Sequence, residues 1–213
     1  MKNKFLIFFF LIFKFSTLYS QIITDRPSET DTPYVIETRH IQVEAGISLE
    51  EIQSRINSLV RIGILNGVEL RINSNYIIND EISFQNKSSF GDFELGSKFT
   101  IFDKDNLNTN ISFLTYLSIP TAQEVFSNNE YGFLNKLLVN HNLNYDSQIL
   151  YNIGYNKFTN YDGQYIYSLL YGKTLSSFSI FFELFGNSNS HISKFNFDSG
   201  ITLSLIHIDA ADD

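Results

Sequence analysis

Cysteine and tryptophan are absent from the 213 residues, and proline (three) and methionine (one) are scarce. Without thiols there are neither disulfide staples nor thiolate metal sites, so a fold outside the cytoplasm must rest on packing and hydrogen bonds alone. Basic residues are also in deficit, 15 against 23 acids, for a formal charge of −8. Removing Lys2, Lys4 and Lys14 with a cleaved leader takes −8 to −11. No basic stripe offsets that charge, which argues against a nucleic-acid footprint. After Gln21 no uninterrupted apolar run approaches the roughly 20 residues of a spanning helix, so any membrane insertion must use strands.

Phenylalanine (21) and tyrosine (12) are abundant, as are asparagine and serine. Strands with aromatic rims and polar turns take that composition. Residues 1–20 have a basic start, an apolar run from Phe5 to Phe13 broken by Lys14, and small or hydroxyl residues before Gln21. This is the pattern of a secretory signal cleaved near Ser20. Residues 21–38 are expected to form an arm, with Pro27, Pro33 and several acids but no sustained period. In it Asp25, Arg26 and Glu29 either contact a barrel interior as a small plug or belong to a solvated leader, and both readings stay open because Asp and Pro favour turns on any surface.

Residues 55–78, RINSLVRIGILNGVELRINSNYII, read as a β-hairpin. Ile56, Val60, Ile62 and Ile64 alternate with Asn57, Arg61 and Gly63; Val68, Leu70, Ile72 and Tyr76 alternate with Glu69, Arg71, Asn73 and Asn75. A two-residue loop Asn66-Gly67 would place charge and hydrocarbon on one face. A three-residue loop Leu65-Asn66-Gly67, with a G1 bulge at the glycine, instead pairs Ile64 with Val68, Ile62 with Leu70 and Val60 with Ile72. Similar alternation begins at Arg39 and recurs through residues 39–50, 91–102, 109–119, 133–145, 148–158, 163–175, 178–186 and 195–203. Residues 79–89 and 120–132 look like polar loops, and residues 103–108 like a tight turn. Ten strands with no helix between them predict an all-β, antiparallel up-and-down transmembrane β-barrel over residues 39–202, with longer connections at one end than at the other.

The strand parities put Glu44, Arg61, Glu69, Arg71, Glu94 and Lys98 on one face as an inward, mixed-charge ladder. Arg61 and Arg71 lie opposite one another in this register, with Glu69 and Glu44 close enough to separate them. Charges of both signs along a polar path suit the passage of small molecules; they also suit a narrow barrel filled by salt bridges. A soluble ligand-binding barrel with its faces inverted satisfies the same alternation. A hydrolase would need a nucleophile, histidine and acid on one patch. No G-x-S-x-G elbow occurs, and His141 falls on the apolar face. His40 and His191 lie beside turns and His207 near the chain end, so no metal or other cofactor is expected.

The chain stops with HIDAADD rather than on an aromatic-ended closing strand. Residues 203–213, LSLIHIDAADD, resemble an in-frame translation of a sequencing-library adapter, and the expectation is a non-native tail on a C-terminally truncated barrel.

Several segments, in order and spacing, resemble the outer-membrane family labelled "putative meta-pathway of phenol degradation", often called a transporter family. They are Ile23-Thr24-Asp25-Arg26-Pro27 with Glu29-Thr30, then Ile41-Gln42-Val43-Glu44-Ala45-Gly46, then Arg61-Ile62-Gly63-Ile64-Leu65-Asn66-Gly67-Val68-Glu69-Leu70-Arg71. Gly91-Asp92-Phe93-Glu94-Leu95-Gly96-Ser97-Lys98, Ser118-Ile119-Pro120 and Phe197-Asp198-Ser199-Gly200 continue the series. The resemblance implies a barrel of about a dozen strands, so that roughly two are missing here. It also implies a Gram-negative outer-membrane location after export through the periplasm. Outer-membrane lipid, the barrel-assembly machinery and a small-molecule cargo would be its partners. The shortened external loops depart from the family, and phenol breakdown is not inferred from its label.

Overall fold

The computed structural model describes residues 24–25, 28–49, 53–79, 88–104, 108–175 and 178–203. The expected leader (residues 1–20), Arg26 of the arm and residues 204–213 of the expected tail lie outside them.

Eleven strands are described: β1 (Ile41–Leu49), β2 (Gln53–Leu65), β3 (Val68–Asn79), β4 (Ser88–Phe90), β5 (Phe93–Lys104), β6 (Thr109–Ile119), β7 (Gly132–Asn142), β8 (Ser147–Phe158), β9 (Gln164–Leu175), β10 (Phe178–Ser188) and β11 (Ser193–Leu203). Every pairing is antiparallel, in the order β1-β2-β3-β5-β6-β7-β8-β9-β10-β11, and the sheet curls into a half-barrel. Among the described residues no ladder joins β11 back to β1. The sequence reading of ten strands omits β4. Residues 88–90 are strand, not loop: Tyr76, Ile77 and Ile78 pair with Phe90, Ser89 and Ser88, so β4 and β5 line the same edge of β3 on either side of a break at Gly91-Asp92.

Connections at the end where β1 begins are short, namely residues 66–67, 105–108, 143–146 and 176–177. At the opposite end they are residues 50–52, 80–87, 120–131, 159–163 and 189–192. The longest, 120–131, contains a 3-10 turn at Glu124–Phe126. Asp92 holds it in place by accepting from the Ala122 and Asn128 amides and the Ser127 hydroxyl, at 3.1, 2.8 and 2.8 Å.

Alternation sorts the side chains onto two unlike faces. The convex face carries Ile41, Val43, Ile47, Leu70, Leu95, Phe133, Ile153, Tyr165, Leu169, Phe182 and Phe197, all exposed. The concave face buries Glu44, Arg61, Glu69, Arg71, Lys98, Ser112, Asn140, Asn152 and Glu183 together with Leu59, Leu114, Leu138, Leu150 and Leu170. A soluble barrel would have the reverse arrangement, hydrocarbon within and charge without.

The β2–β3 hairpin has the expected register below its tip: Ile62 faces Leu70, Arg61 faces Arg71 and Val60 faces Ile72. The tip differs. Leu65, not Ile64, pairs with Val68, so the two-residue loop Asn66-Gly67 closes the hairpin, and the register shifts between Gly63 and Leu65. A bulge restores parity as well as a longer loop does, while Gly67 takes the positive φ (74°) that the turn requires.

Gly63 has a separate reason to be glycine. The chain enters β1 across it: the Arg39 amide donates to the Gly63 carbonyl at 2.8 Å, and the Gly63 amide to the His40 carbonyl at 3.0 Å. A Cβ at Gly63 would stand 2.0 Å from the Glu37 carbonyl oxygen. The wall must lack a side chain where the arm leaves the interior.

Candidate functional site

Residues preceding β1 turn into the concave side and span it. At one wall the Ile36 amide donates to Glu69 Oε2 at 2.9 Å, and the Tyr34 carbonyl accepts from Arg61 Nη2 at 2.8 Å and Lys98 Nζ at 3.2 Å. The Pro33 carbonyl accepts from the Ser112 hydroxyl, and the Tyr34 hydroxyl from Asn140 Nδ2 at 2.8 Å. Farther round, the Asp31 amide donates to Asn152 Oδ1 at 2.8 Å, while Asn152 Nδ2 donates to the Asp31 carbonyl at 3.0 Å. The Thr30 amide reaches Glu183 Oε1 on β10 at 2.6 Å, the Glu29 amide reaches Glu183 Oε2 at 3.0 Å, and the Thr30 hydroxyl donates to Glu183 as well. Asp25 then lies back against β1–β5. Its Oδ1 accepts from the Thr32 amide and hydroxyl, 2.8 and 2.6 Å, closing the arm into a compact loop.

This arm completes a buried ion cluster. Glu69 clamps Arg61 from Nε (3.0 Å) and Nη2 (2.9 Å) and also meets Arg71 Nη1 at 2.9 Å. Glu44 Oε1 takes Arg61 Nη1 at 3.1 Å and its Oε2 accepts from the Asp25 amide at 3.1 Å. Asp25 Oδ2 meets Arg71 Nη1 at 2.6 Å, Lys98 Nζ at 2.8 Å and Arg61 Nη1 at 3.9 Å. Asp31 bridges Lys136 Nζ (2.7 Å) and Arg71 Nη2 (3.6 Å). Arg61, Glu69, Arg71 and Lys98 are each no more than 2% exposed. Ionised groups so deeply buried are tolerable only because each has a partner. Burial alone would raise the Asp25 carboxyl, but Lys98, Arg71 and Arg61 outweigh it and hold the group well below the usual carboxylate range. Asp31 is also lowered: burial opposes ionisation, and Lys136 overcomes it. The Tyr34 phenol is pushed up by burial.

Of the ladder read from the sequence, Glu44, Arg61, Glu69, Arg71 and Lys98 meet in this cluster. Glu94 shares their face but stands apart, accepting from Asn73 Nδ2 at 2.8 Å nearer the long connections. In the arm Asp25 enters the cluster, and Glu29 meets Glu183 through its amide while its carboxylate acts on Lys136 only through the field. Asp31, Lys136, Thr30 and Glu183 were not singled out. Lys136 and Glu183 could have been found from strand parity, whereas the arm residues have no period to reveal them.

Above the arm, on the side of the long connections, is a cavity of about 470 Å³ whose lining includes Asp25, Asp31, Arg71, Glu94, Tyr116 and Lys136. Tyr116 leans over Gly96, where a Cβ would fall 2.3 Å from its ring, and accepts from Arg71 Nε at 2.5 Å. Among the described residues no group of three or more His, Asp or Glu could hold a metal ion. His141 lies on the convex face, with Thr109 Oγ1 2.9 Å from Nδ1 and the Tyr151 hydroxyl 3.3 Å from Nε2.

No curated protein matches the chain. A family model described as "Putative MetA-pathway of phenol degradation" matches residues 24–205, a span that takes in the described arm, the ion cluster and every described strand, and the chain belongs to that family.

Proposed function

We propose that the protein is an outer-membrane β-barrel that passes small solutes, with the N-terminal arm as a plug in its resting position. The observation that carries this reading is the pairing of an exposed hydrocarbon face with a concave face that is charged and occupied by the arm. Lipid is the solvent that suits the convex face. The unequal connections, the signal-like leader and the family membership support the same location. The barrel-assembly machinery would insert such a chain after export. The reading is non-enzymatic: Glu44, Arg61, Glu69, Arg71, Lys98, Asn152 and Glu183 of the concave face are engaged in seating the arm.

A permanently plugged, structural barrel is the second reading, favoured by the near-complete burial of the cluster. Fractionation with heat-modifiable gel mobility tests the location: the folded protein should sediment with outer membranes and shift on boiling. Recovery of folded protein in the soluble periplasm without detergent would remove the barrel-in-lipid reading. Vesicle-swelling rates then separate conduit from structural barrel. Solute entry that rises when Asp25→Asn loosens the arm supports a conduit. Entry indistinguishable from empty vesicles with both chains supports the sealed barrel.

A further inference from the structure

The arm supplies, through Asp25 and Asp31, the nearest carboxylates to three cations of the wall. Glu44 and Glu69 both serve Arg61, and Glu69 also meets Arg71 at 2.9 Å, farther than Asp25 at 2.6 Å. Lys98 has Asp25 at 2.8 Å, whereas the nearest carboxylate of the wall, Glu69, is 3.8 Å away. Lys136 has Asp31 at 2.7 Å. Arg71 spans both, with Nη1 on Asp25 and Nη2 toward Asp31. With Arg61, these make four cations on a face that also carries Glu44, Glu69, Glu94 and Glu183; among the described residues, the wall's ion pairs within 4 Å of any of the four come from Glu44 and Glu69. Withdrawing the arm would therefore take the nearest carboxylate from Arg71, Lys98 and Lys136, an unfavourable state unless another anion takes its place.

We propose that the arm occupies a carboxylate-binding site in cis, and that a small dicarboxylate solute competes with Asp25 and Asp31 for Arg71, Lys98 and Lys136. Two carboxylates that share one guanidinium are closely spaced, which fits a succinate-sized dianion. The fork of Arg71 suits paired carboxylate contacts, with the lysines acting as point charges at either side. A neutral solute would leave Lys98 with Glu69 alone at 3.8 Å and would take from Lys136 its Asp31 partner without replacing it, and a cation would be repelled by both. The arm is therefore an internal competitor: solute and plug exclude each other by occupying the same contacts, and binding shifts the arm outward by mass action. This rests on reading the arm as a displaceable plug, and it names the solute class such a conduit would take.

The absence of cysteine makes the test direct. Ser28→Cys places a single thiol between Asp25 and Asp31, and its rate of modification by a water-soluble maleimide is followed in the full chain, folded in micelles. Heat-modifiability establishes that each preparation is folded. Succinate, titrated at constant ionic strength against chloride, should raise the rate saturably, on the order of threefold or more. Succinamide should have no effect, and adding Lys136→Gln should move half-saturation to higher succinate. No rise with succinate, or an equal rise with chloride or succinamide, overturns the site. Vesicle swelling with succinate is measured separately. Succinate-dependent labelling without swelling upholds the site and removes the conducting reading; swelling without succinate-dependent labelling removes the site and spares that reading.

Discussion

Arg61 and Arg71 stand directly opposite one another on β2 and β3, and the Glu69 carboxylate is shared between them. Two guanidinium groups at cross-strand distance repel. The arrangement persists because Glu69 contacts both, Glu44 holds Arg61 from the far side, and Asp25 caps Arg71 from the arm. The arm thus supplies part of the charge balance of the wall it lies against.

Glu69→Gln should accordingly be the most damaging single change in the cluster. It retains the shape while removing the carboxylate that hydrogen-bonds to both arginines of the pair, Asp25 reaching Arg61 only at 3.9 Å. Loss of one member of a buried ion network costs about 3–5 kcal/mol, because the charges left behind remain out of water. Urea titration in micelles, followed by heat-modifiability, should show a lower midpoint. A midpoint within error of wild type would mean that water reaches the cluster freely.

The outward face is tested from the other side. Ile153 lies mid-strand on the convex face, between Leu137 and Tyr167. Ile62 is close to the Asn66-Gly67 turn. If the convex face meets lipid, Ile153→Arg should impair folding into vesicles by about 2–4 kcal/mol and Ile62→Arg by only about 0–1 kcal/mol, following depth in the bilayer. Equal tolerance of both in vesicles would show that lipid does not contact this face.

Much of this face assignment was legible from period-two alternation, because a one-residue slip would have set Arg61 and Arg71 among hydrocarbon. What was illegible has identifiable causes. The hairpin tip was misjudged because a bulge at residues 63–65 and a longer loop correct parity equally well. β4 escaped notice because Ser88-Ser89-Phe90 is too short and polar to show a period. Glu94 has the parity of its neighbours, but its position along β5 sets it beside Asn73 and away from the cluster. The seat of the arm is the deepest gap. Thr30 and Glu183 are separated by 153 residues, and nothing local to either implies the other.

Acid should release the arm, but only well below the ordinary carboxylate range. The Asp25 carboxyl is depressed in the folded state, with Lys98, Arg71 and Arg61 facing it and the Glu44 and Glu69 carboxylates beside them. A depressed group contributes stability that is fully present above its unfolded value, about 3.9, and is lost as pH falls through the folded value. Hydrogen exchange at the Thr32 amide, which donates to Asp25, reports the event. After correction for the intrinsic pH dependence of exchange, protection should hold down to the ordinary Asp range and fall beneath it. Loss of protection between neutral pH and that range would place the controlling group elsewhere.

The arm has two anchors of different kinds on opposite parts of the sheet. Asp25 is held by cations from β2, β3 and β5. Glu183 instead accepts from the Glu29 and Thr30 amides and the Thr30 hydroxyl, and it faces Asp198 across the β10–β11 ladder. Glu183→Gln keeps one good acceptor and turns an NH₂ group toward the other donors, so about 1–3 kcal/mol of arm seating should be lost through unsatisfied contacts. If the arm moves as one body, removing either anchor already weakens the other, and the double change with Asp25→Asn should cost less than the two separate losses together. Independent anchors would instead give additive losses. Exchange protection at Thr32 and at Asp31, whose amide donates to Asn152 between the anchors, can be followed through all four members of the cycle. Additivity at both amides would show that the arm releases piecewise, one wall at a time, and would rule out a plug that leaves as a unit.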